Sequence, residues 1–224
     1  MTDRMPIRDR RIAHFTHVNN LRSIVAAGEL ACDGRAQDGR LVTEVGDARI
    51  KANRRRRIIT AGAGGTVGEY VPFYFAPRSP MMYRIACDCR DSIPGRYQGG
   101  DRELVYLSST VGAVVSAGLA WVATDGNAAA EISRSSTDLV ESDQMIDWPL
   151  MQAERWHNTP EDQDRQRRRM AEFLVHQAVP LSLVREVAAY SEEHAKQARI
   201  ALGNDPLARS VFVRPEWYYG YERR

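Results

Sequence analysis

The spacing of apolar positions changes in blocks along the chain, and the blocks predict more strands than helices. Residues 11–16 read as a first strand. Leu21, Ile24, Val25 and Gly28 then fall at helical spacing, with Asn19 or Asn20 able to cap the start and Gly28 supplying the stop. Residues 33–65 are polar, arginine-rich and punctuated by glycine, which predicts a largely irregular segment with one short helix around Ile50. Residues 70–75 form a strand pattern with Pro72 near its start or at an edge, closed by Pro77 and Pro80. A strand at 103–108, a short helix at 111–117 ended by Gly118, and a strand at 119–124 turning at Asp125 and Gly126 follow. Residues 127–169 lack sustained strand periodicity, and a long segment of this kind inside a domain is usually functional or disordered. Strand character resumes at 171–175 and again at 186–190, then a polar amphipathic helix at 191–202 stops at Gly203, and a last strand covers 210–213. Strands dominate without regular strand–helix alternation, so the predicted class is α+β, in one domain over 1–224 with an insertion at about 126–170.

Composition narrows the class. The 224 residues are 43% hydrophobic and 27% charged, as in a globular domain able to bury its own core. The net charge of +2 does not announce a polyanionic partner. Its distribution says more, since Arg54, Arg55, Arg56 and Arg57 form one run, and Arg165, Arg167, Arg168 and Arg169 a second. The plain reading of such a run is a solvated face. Three cysteines, Cys32, Cys87 and Cys89, make neither a disulfide framework nor a zinc site, and the histidines show no ligand spacing, so no metal is expected. Neither an apolar span nor a signal-peptide core is visible, and a cytoplasmic protein away from membranes is expected.

Candidate chemistry begins at His14, Phe15, Thr16 and His17. Strand alternation sets His14 and Thr16 on one face and His17 on the other. A histidine there can bond a ribose hydroxyl, although taken alone it reads more simply as structural. His14, Asn20, Ile24 and Gly28 together resemble the opening of poly-ADP-ribose-polymerase-type transferases. Tyr74, Phe75, Ala76, Ser79 and Tyr83 resemble that superfamily's block for holding nicotinamide, with Pro77 and Pro80 as departures. The closer resemblance is to the DarT family of toxins. It covers residues 11–219 and is carried by stretches at 14–20, 70–82, 124–129, 156–159 and 168–175.

This resemblance implies an ADP-ribosyltransferase fold, with split antiparallel sheets around an NAD⁺ cleft and flanking helices. The activity it implies is transfer of ADP-ribose from NAD⁺, as co-substrate, to a base in single-stranded DNA. The chain would then be the toxin of a toxin–antitoxin pair, acting as a monomer and countered by a macrodomain-containing antitoxin. Matched positions make Glu172 the catalytic carboxylate, which stabilises positive charge on the ribose as the glycosidic bond breaks. Arg54 matches the catalytic arginine, facing either the diphosphate or the base. His14, Thr16, Asn20, Ser79 and either Tyr74 or Tyr83 would hold NAD⁺, and Arg78 is a weaker phosphate candidate. For the strand, Trp156 and His157 could stack a base, Asn127 and Asn158 bond its edge, and Arg165, Arg168 and Arg169 hold phosphates.

Thymine is the preferred base, because residues 156–159 look closer to thymine-modifying relatives; guanine, RNA and protein are the alternatives. A protein-arginine acceptor usually accompanies Glu-x-Glu or Gln-x-Glu, and Met170, Ala171, Glu172 is neither. A non-catalytic binder of nucleic acid or NAD⁺ is the alternative of another class, disfavoured by the joint presence of His14, Arg54 and Glu172.

Overall fold

The computed structural model describes residues 5–36 and 41–219, so residues 1–4 of the charged N-terminus and 37–40 of the segment expected to be irregular lie outside the described residues. The first half holds β1 (Arg11–His17), α1 (Leu21–Ala27), β2 (Glu29–Ala31), α2 (Asp33–Ala36), α3 (Ala48–Arg54), β3 (Tyr70–Tyr74) and α4 (Pro80–Arg90). Then come β4 (Leu104–Thr110), α5 (Val111–Ser116), β5 (Trp121–Thr124), β6 (Ser135–Ser136), α6 (Leu139–Met145), α7 (Trp148–Gln152) and α8 (Arg165–Arg168). The chain continues with β7 (Glu172–His176), β8 (Ala178–Pro180), β9 (Glu186–Ala189), α9 (Glu192–Leu202) and β10 (Val211–Val213).

Among the described residues eight strands form one sheet in the order β10-β9-β4-β1-β3-β7-β5-β6, and β2 pairs with β8 apart from it. The fold is α+β as expected, and every pairing is antiparallel except β9 with β10, which the crossover helix α9 joins in parallel. The sheet is split near its middle. β1 pairs along its whole length with β4, and β3 along its whole length with β7, but β1 and β3 share a single register pair, Ala13 with Tyr74.

Pro72 explains the split. Its carbonyl is turned toward β1, where His14 Nδ1 donates to it at 2.8 Å. The amide and carbonyl of one strand residue point the same way, so the side of β3 facing β1 lacks a donor there and the ladder stops. Because a carbonyl can only accept, Nδ1 must carry the proton and Nε2 is left as an acceptor. Burial lowers the His14 pKa to about 4, with the Pro72 carbonyl opposing the shift, so the ring is neutral near pH 7.

β7 is the central strand of its half, and Phe173, Leu174 and Val175 are fully buried there. Phe173 stacks on Trp121 at 5.0 Å and meets Phe75 edge-on. The residues read as a polar insertion are ordered by short helices. Asp138 caps α6 by accepting from Glu141 N at 2.8 Å, and Asp147 caps α7 by accepting from Leu150 N at 3.0 Å. The second arginine run closes the segment on itself. Arg167 bonds Asp164 at 2.6 Å and Asp125 at 3.0 Å, and Arg168 bonds Asp162 at 2.6 Å and Asp147 at 3.1 Å. Arg169, 5% exposed, donates to the carbonyls of Leu150, Met151 and Ala153 at the end of α7 and to Pro77 after β3.

Two outcomes follow for stability. Arg169→Leu strands four carbonyls and should lower unfolding free energy by about 3 kcal/mol. Arg168→Gln, which loosens a more solvated pair, should cost about 1 kcal/mol or less; urea denaturation of both variants measures the contrast. His14 titrates near 6.5 when unfolded and near 4 when folded. The fold's full advantage is therefore present above pH 6.5 and is lost as pH falls through 4. His14→Gln should flatten this part of the urea midpoint against pH, and an unchanged slope between pH 6.5 and 4 would remove His14 as the group responsible.

Candidate active site

The split in the sheet is the mouth of a cleft. His14, Thr16, Tyr70, Pro72 and Tyr74 line it from the diverging strands, and Leu41, Val45, Asp47, Ile50, Lys51 and Arg54 from the polar segment laid across it. Counted out to its open mouth, the cleft holds about 1030 Å³. That segment is fixed from below by Asn20, which does not cap α1. Its side chain accepts from Val42 N at 3.0 Å and Thr43 N at 2.8 Å, and donates to Thr43 O and to Thr16 Oγ1. Lys51 ties the segment further by pairing with both Glu44 and Asp33, and Asp47 receives Arg84 and Arg96. Asp47 also caps α3 by accepting from Arg49 N at 2.8 Å.

A second, more open cleft adjoins the first. Asn53, Asn127, Ala129, Met170 and Glu172 line it, and it shares Asp47, Ile50, Arg54, Tyr74 and Met81 with the first. Arg54 therefore stands on the wall between them. Its guanidinium holds the Glu172 carboxylate through three hydrogen bonds of 3.0–3.1 Å. Glu172 is 0% exposed. Burial pushes its carboxyl above the ordinary range, with Arg54 and the Ala128 backbone pulling back. Burial disfavours the Arg54 cation too and is the largest single influence on it, but the charge and hydrogen bonds of Glu172 together with Tyr74 and Asp33 outweigh it and raise the pKa. Backbone geometry sets the carboxylate in place, since Glu172 N donates to Thr124 Oγ1 at 3.2 Å and that hydroxyl donates to Gly126 O at 2.7 Å. Gly126 packs so closely on Arg167 that a Cβ would lie 2.5 Å from its Nη1. A buried carboxylate, preorganised at the junction of two clefts, can stabilise positive charge developing on a group placed between them.

The structure thus brings together Glu172, Arg54, His14, Thr16 and Tyr74, with Asn127 across the open cleft. Asn127 Oδ1 accepts from Ala129 N at 2.9 Å. Of the two candidate tyrosines, Tyr74 lines both clefts and Tyr83 lines neither; Tyr74 stacks on Phe15 at 6.0 Å, and burial raises its pKa. Tyr83 instead packs edge-on against Trp156 and Tyr219. Ser79 is buried at the start of α4, accepting from Met82 N at 3.3 Å. Arg78 holds the turn before it, with its guanidinium over the Tyr219 ring.

Most of the expected strand-holding residues are spent on the fold. Trp156 is 9% exposed and donates to Tyr219 OH at 3.0 Å, so its faces are not an open platform. His157 is exposed, and its carbonyl accepts from Arg165, which also bonds Arg155 O. Asn158 accepts from Gln166 N at the start of α8. Arg168 and Arg169 are committed to acids and carbonyls as described, because the insertion supplies its own counter-groups. Sequence reading missed α4, although Ser79 before Pro80 is a helix-start signal, and missed Lys51, Asp33 and Glu44, whose pairing leaves no local signature. Among the described residues no group of His, Cys, Asp or Glu is arranged to hold a metal, and no helix is long and apolar enough to cross a membrane.

Comparison with known proteins agrees with this geometry. A family described as "ssDNA thymidine ADP-ribosyltransferase, DarT" matches residues 13–219. A DNA ADP-ribosyl transferase of Mycobacterium tuberculosis is 36% identical over 97% of this chain and 92% of its own length. One from Thermus sp. is 35% identical over 93% and 95%. The structure of Thermus sp. 2.9 DarT in complex with ADP-ribosylated ssDNA superposes with a TM-score of 0.86 at 34% identity, covering 96% of this chain and 99% of that one. The same protein in complex with NAD⁺ gives 0.82 at 33%, covering 96% and 100%. A cleft opened by a split sheet, a buried carboxylate in the cleft adjoining it and a family match spanning nearly the whole sequence lead to one assignment: the chain belongs to the DarT family.

Proposed function

We propose that the Arg54–Glu172 pair is the catalytic centre of an NAD⁺-dependent transferase that attaches ADP-ribose to a thymine base in single-stranded DNA. The observation that carries this reading is the carboxylate at 0% exposure, held by an arginine at the junction of two clefts. The cleft of the split sheet receives the dinucleotide, and the more open cleft beside it admits the base. NAD⁺ is the co-substrate.

In the first cleft His14 Nε2, an acceptor by tautomer, takes a hydrogen bond from a hydroxyl of the adenosine-side ribose. Thr16 shares that wall, and Tyr74 faces the nicotinamide end near Glu172. Asn20 acts through the 42–43 backbone that it fixes. The bond from ribose C1′ to the nicotinamide nitrogen breaks, its electron pair leaving with neutral nicotinamide. Glu172 stabilises the positive charge spread over C1′ and the ring oxygen, and accepts from the 2′-hydroxyl. A ring nitrogen of the base then bonds to C1′ and gives up its proton, for which burial has raised the affinity of the Glu172 carboxyl. Arg54 balances the carboxylate before the reaction and faces the negative charge that builds on the base oxygens as the ring proton leaves; the adduct itself is neutral. A single strand presents that base edge without the cost of unpairing.

The reading extends to a cytoplasmic toxin, acting as a monomer and neutralised by an antitoxin whose macrodomain recognises ADP-ribose. Residues 126–170 serve in it as the acceptor-side wall, chiefly by positioning Glu172 and Asn127.

Mass spectrometry of an oligonucleotide pool incubated with NAD⁺ tests the activity. Added ADP-ribose should map to thymine in single strands and be missing from a blunt duplex; an adduct on guanine would move the assignment of the base. Glu172→Gln should remain folded, with a lower Tm because Arg54 loses its counter-charge, and transfer should fall about 100-fold or more. Near wild-type transfer would take Glu172 out of the mechanism. His14→Ala should raise the KM for NAD⁺ by about 10-fold, the loss of one or two hydrogen bonds of roughly 1–3 kcal/mol. His17 faces Tyr97 edge-on and accepts from Asn19 N. His17→Ala should therefore act on stability, and a larger effect on NAD⁺ use than that of His14→Ala would require a different strand register.

A further inference from the structure

α3 carries two rows of side chains, each pair four residues apart and so stacked on one side of the helix. Ile50 and Arg54 form one row and line both clefts. Arg49 and Asn53 form the other, are exposed, and line only the open cleft that contains Glu172. What distinguishes the second row is the absence of commitments. Around the site Arg54 is engaged with Glu172, Arg55 with Asp33, Arg84 with Asp47, Arg167 with Asp125 and Arg168 with Asp162. Among the described residues neither the Arg49 guanidinium nor the Asn53 amide has a hydrogen-bond or ion-pair partner.

Facing them, Asn127 has its Oδ1 occupied by Ala129 N, which leaves its amino group to donate. Met81, Met170 and Ala129 supply the apolar part of the wall. A neutral amide, an amide donor and thioether surfaces suit a flat, neutral heterocycle with carbonyl edges, while an uncompensated guanidinium beside them suits a phosphate.

We infer that Arg49 holds a backbone phosphate of the DNA strand and that Asn53 reads the carbonyl edge of the base presented to Glu172. This rests on the function proposed above and gives the strand a route along α3 in place of the self-neutralised α8. Arg49 is then a positioning residue and Asn53 a specificity-determining one.

The test is transfer to a thymine-containing single-stranded oligonucleotide over a series of salt concentrations. The proteins compared are wild type, Arg49→Gln, Asn53→Ala and, as a charge control, Arg22→Gln, which is exposed on α1 and lines neither cleft. Arg49→Gln should raise the oligonucleotide KM several-fold at low salt and make the slope of log affinity against log salt shallower by about 0.7, one single-strand contact. Its KM for NAD⁺ and its Tm should match wild type. Asn53→Ala should keep the wild-type salt slope, lower kcat/KM for the preferred base by about 10-fold and narrow its margin over other bases. Arg22→Gln should behave as wild type. An unchanged slope for Arg49→Gln, or an unchanged base preference for Asn53→Ala, with wild-type transfer intact, overturns this inference alone. A wild-type protein that consumes NAD⁺ and modifies no oligonucleotide overturns the acceptor reading and this inference with it.

Discussion

The hydrogen bonds between Arg54 and Glu172 determine where much of the chain must lie. A carboxylate with no water contact, opening a strand whose next three residues are fully buried, would cost several kcal/mol without a counter-charge. Its partner lies 118 residues earlier, on a helix of seven residues in a polar stretch with little core of its own. Bringing the two together obliges that stretch to cross the mouth of the split sheet. The bonds that hold it there, from Asn20 below and through Lys51 and Asp47 along its length, complete the cleft. Pairing two buried charges therefore also builds a wall.

The parts of the fold with strong local rules were legible in the sequence. Strand spacing found β1, β3, β4, β5, β7, β9 and β10, and Gly28 at φ 68° ends α1 as its position suggested. β2, β6 and β8 were not found, because two or three residues carry no alternation and theirs are not rich in strand formers, whereas the equally short β10 is Val211, Phe212 and Val213. Glu172 and Arg54 were legible by family resemblance, and the arginine expected from among four neighbours is the one that meets the carboxylate. Asn20, Ser79 and Trp156 show the limit. A side chain that can bind a ligand can equally bind backbone or another side chain, and nothing near Asn20 in the sequence shows that residues 42 and 43 will arrive to use it.

The two arginine runs teach the same lesson through charge. Read along the chain they look alike. In the fold, the second meets Asp125, Asp147, Asp162 and Asp164, all outside the run, and its last member is turned inward onto carbonyls. Such an arrangement presents little field to a polyanion and much rigidity to the strand that follows. Glu172 comes three residues after Arg169, so the segment's internal pairing sets the entry of β7.

Pro72 bears on how this cleft persists over generations of sequence change. A residue with an amide hydrogen at that position would give β1 and β3 another rung, and the sheet would gain regularity as the opening narrowed. Local fitness of the sheet and usefulness of the gap pull in opposite directions there. The gap is kept by a hydrogen atom that the ring leaves out, with His14 occupying the carbonyl that remains. Drift at this position would be rewarded by folding and penalised by function, so a variant that melts later than its parent could be the one that has lost its substrate.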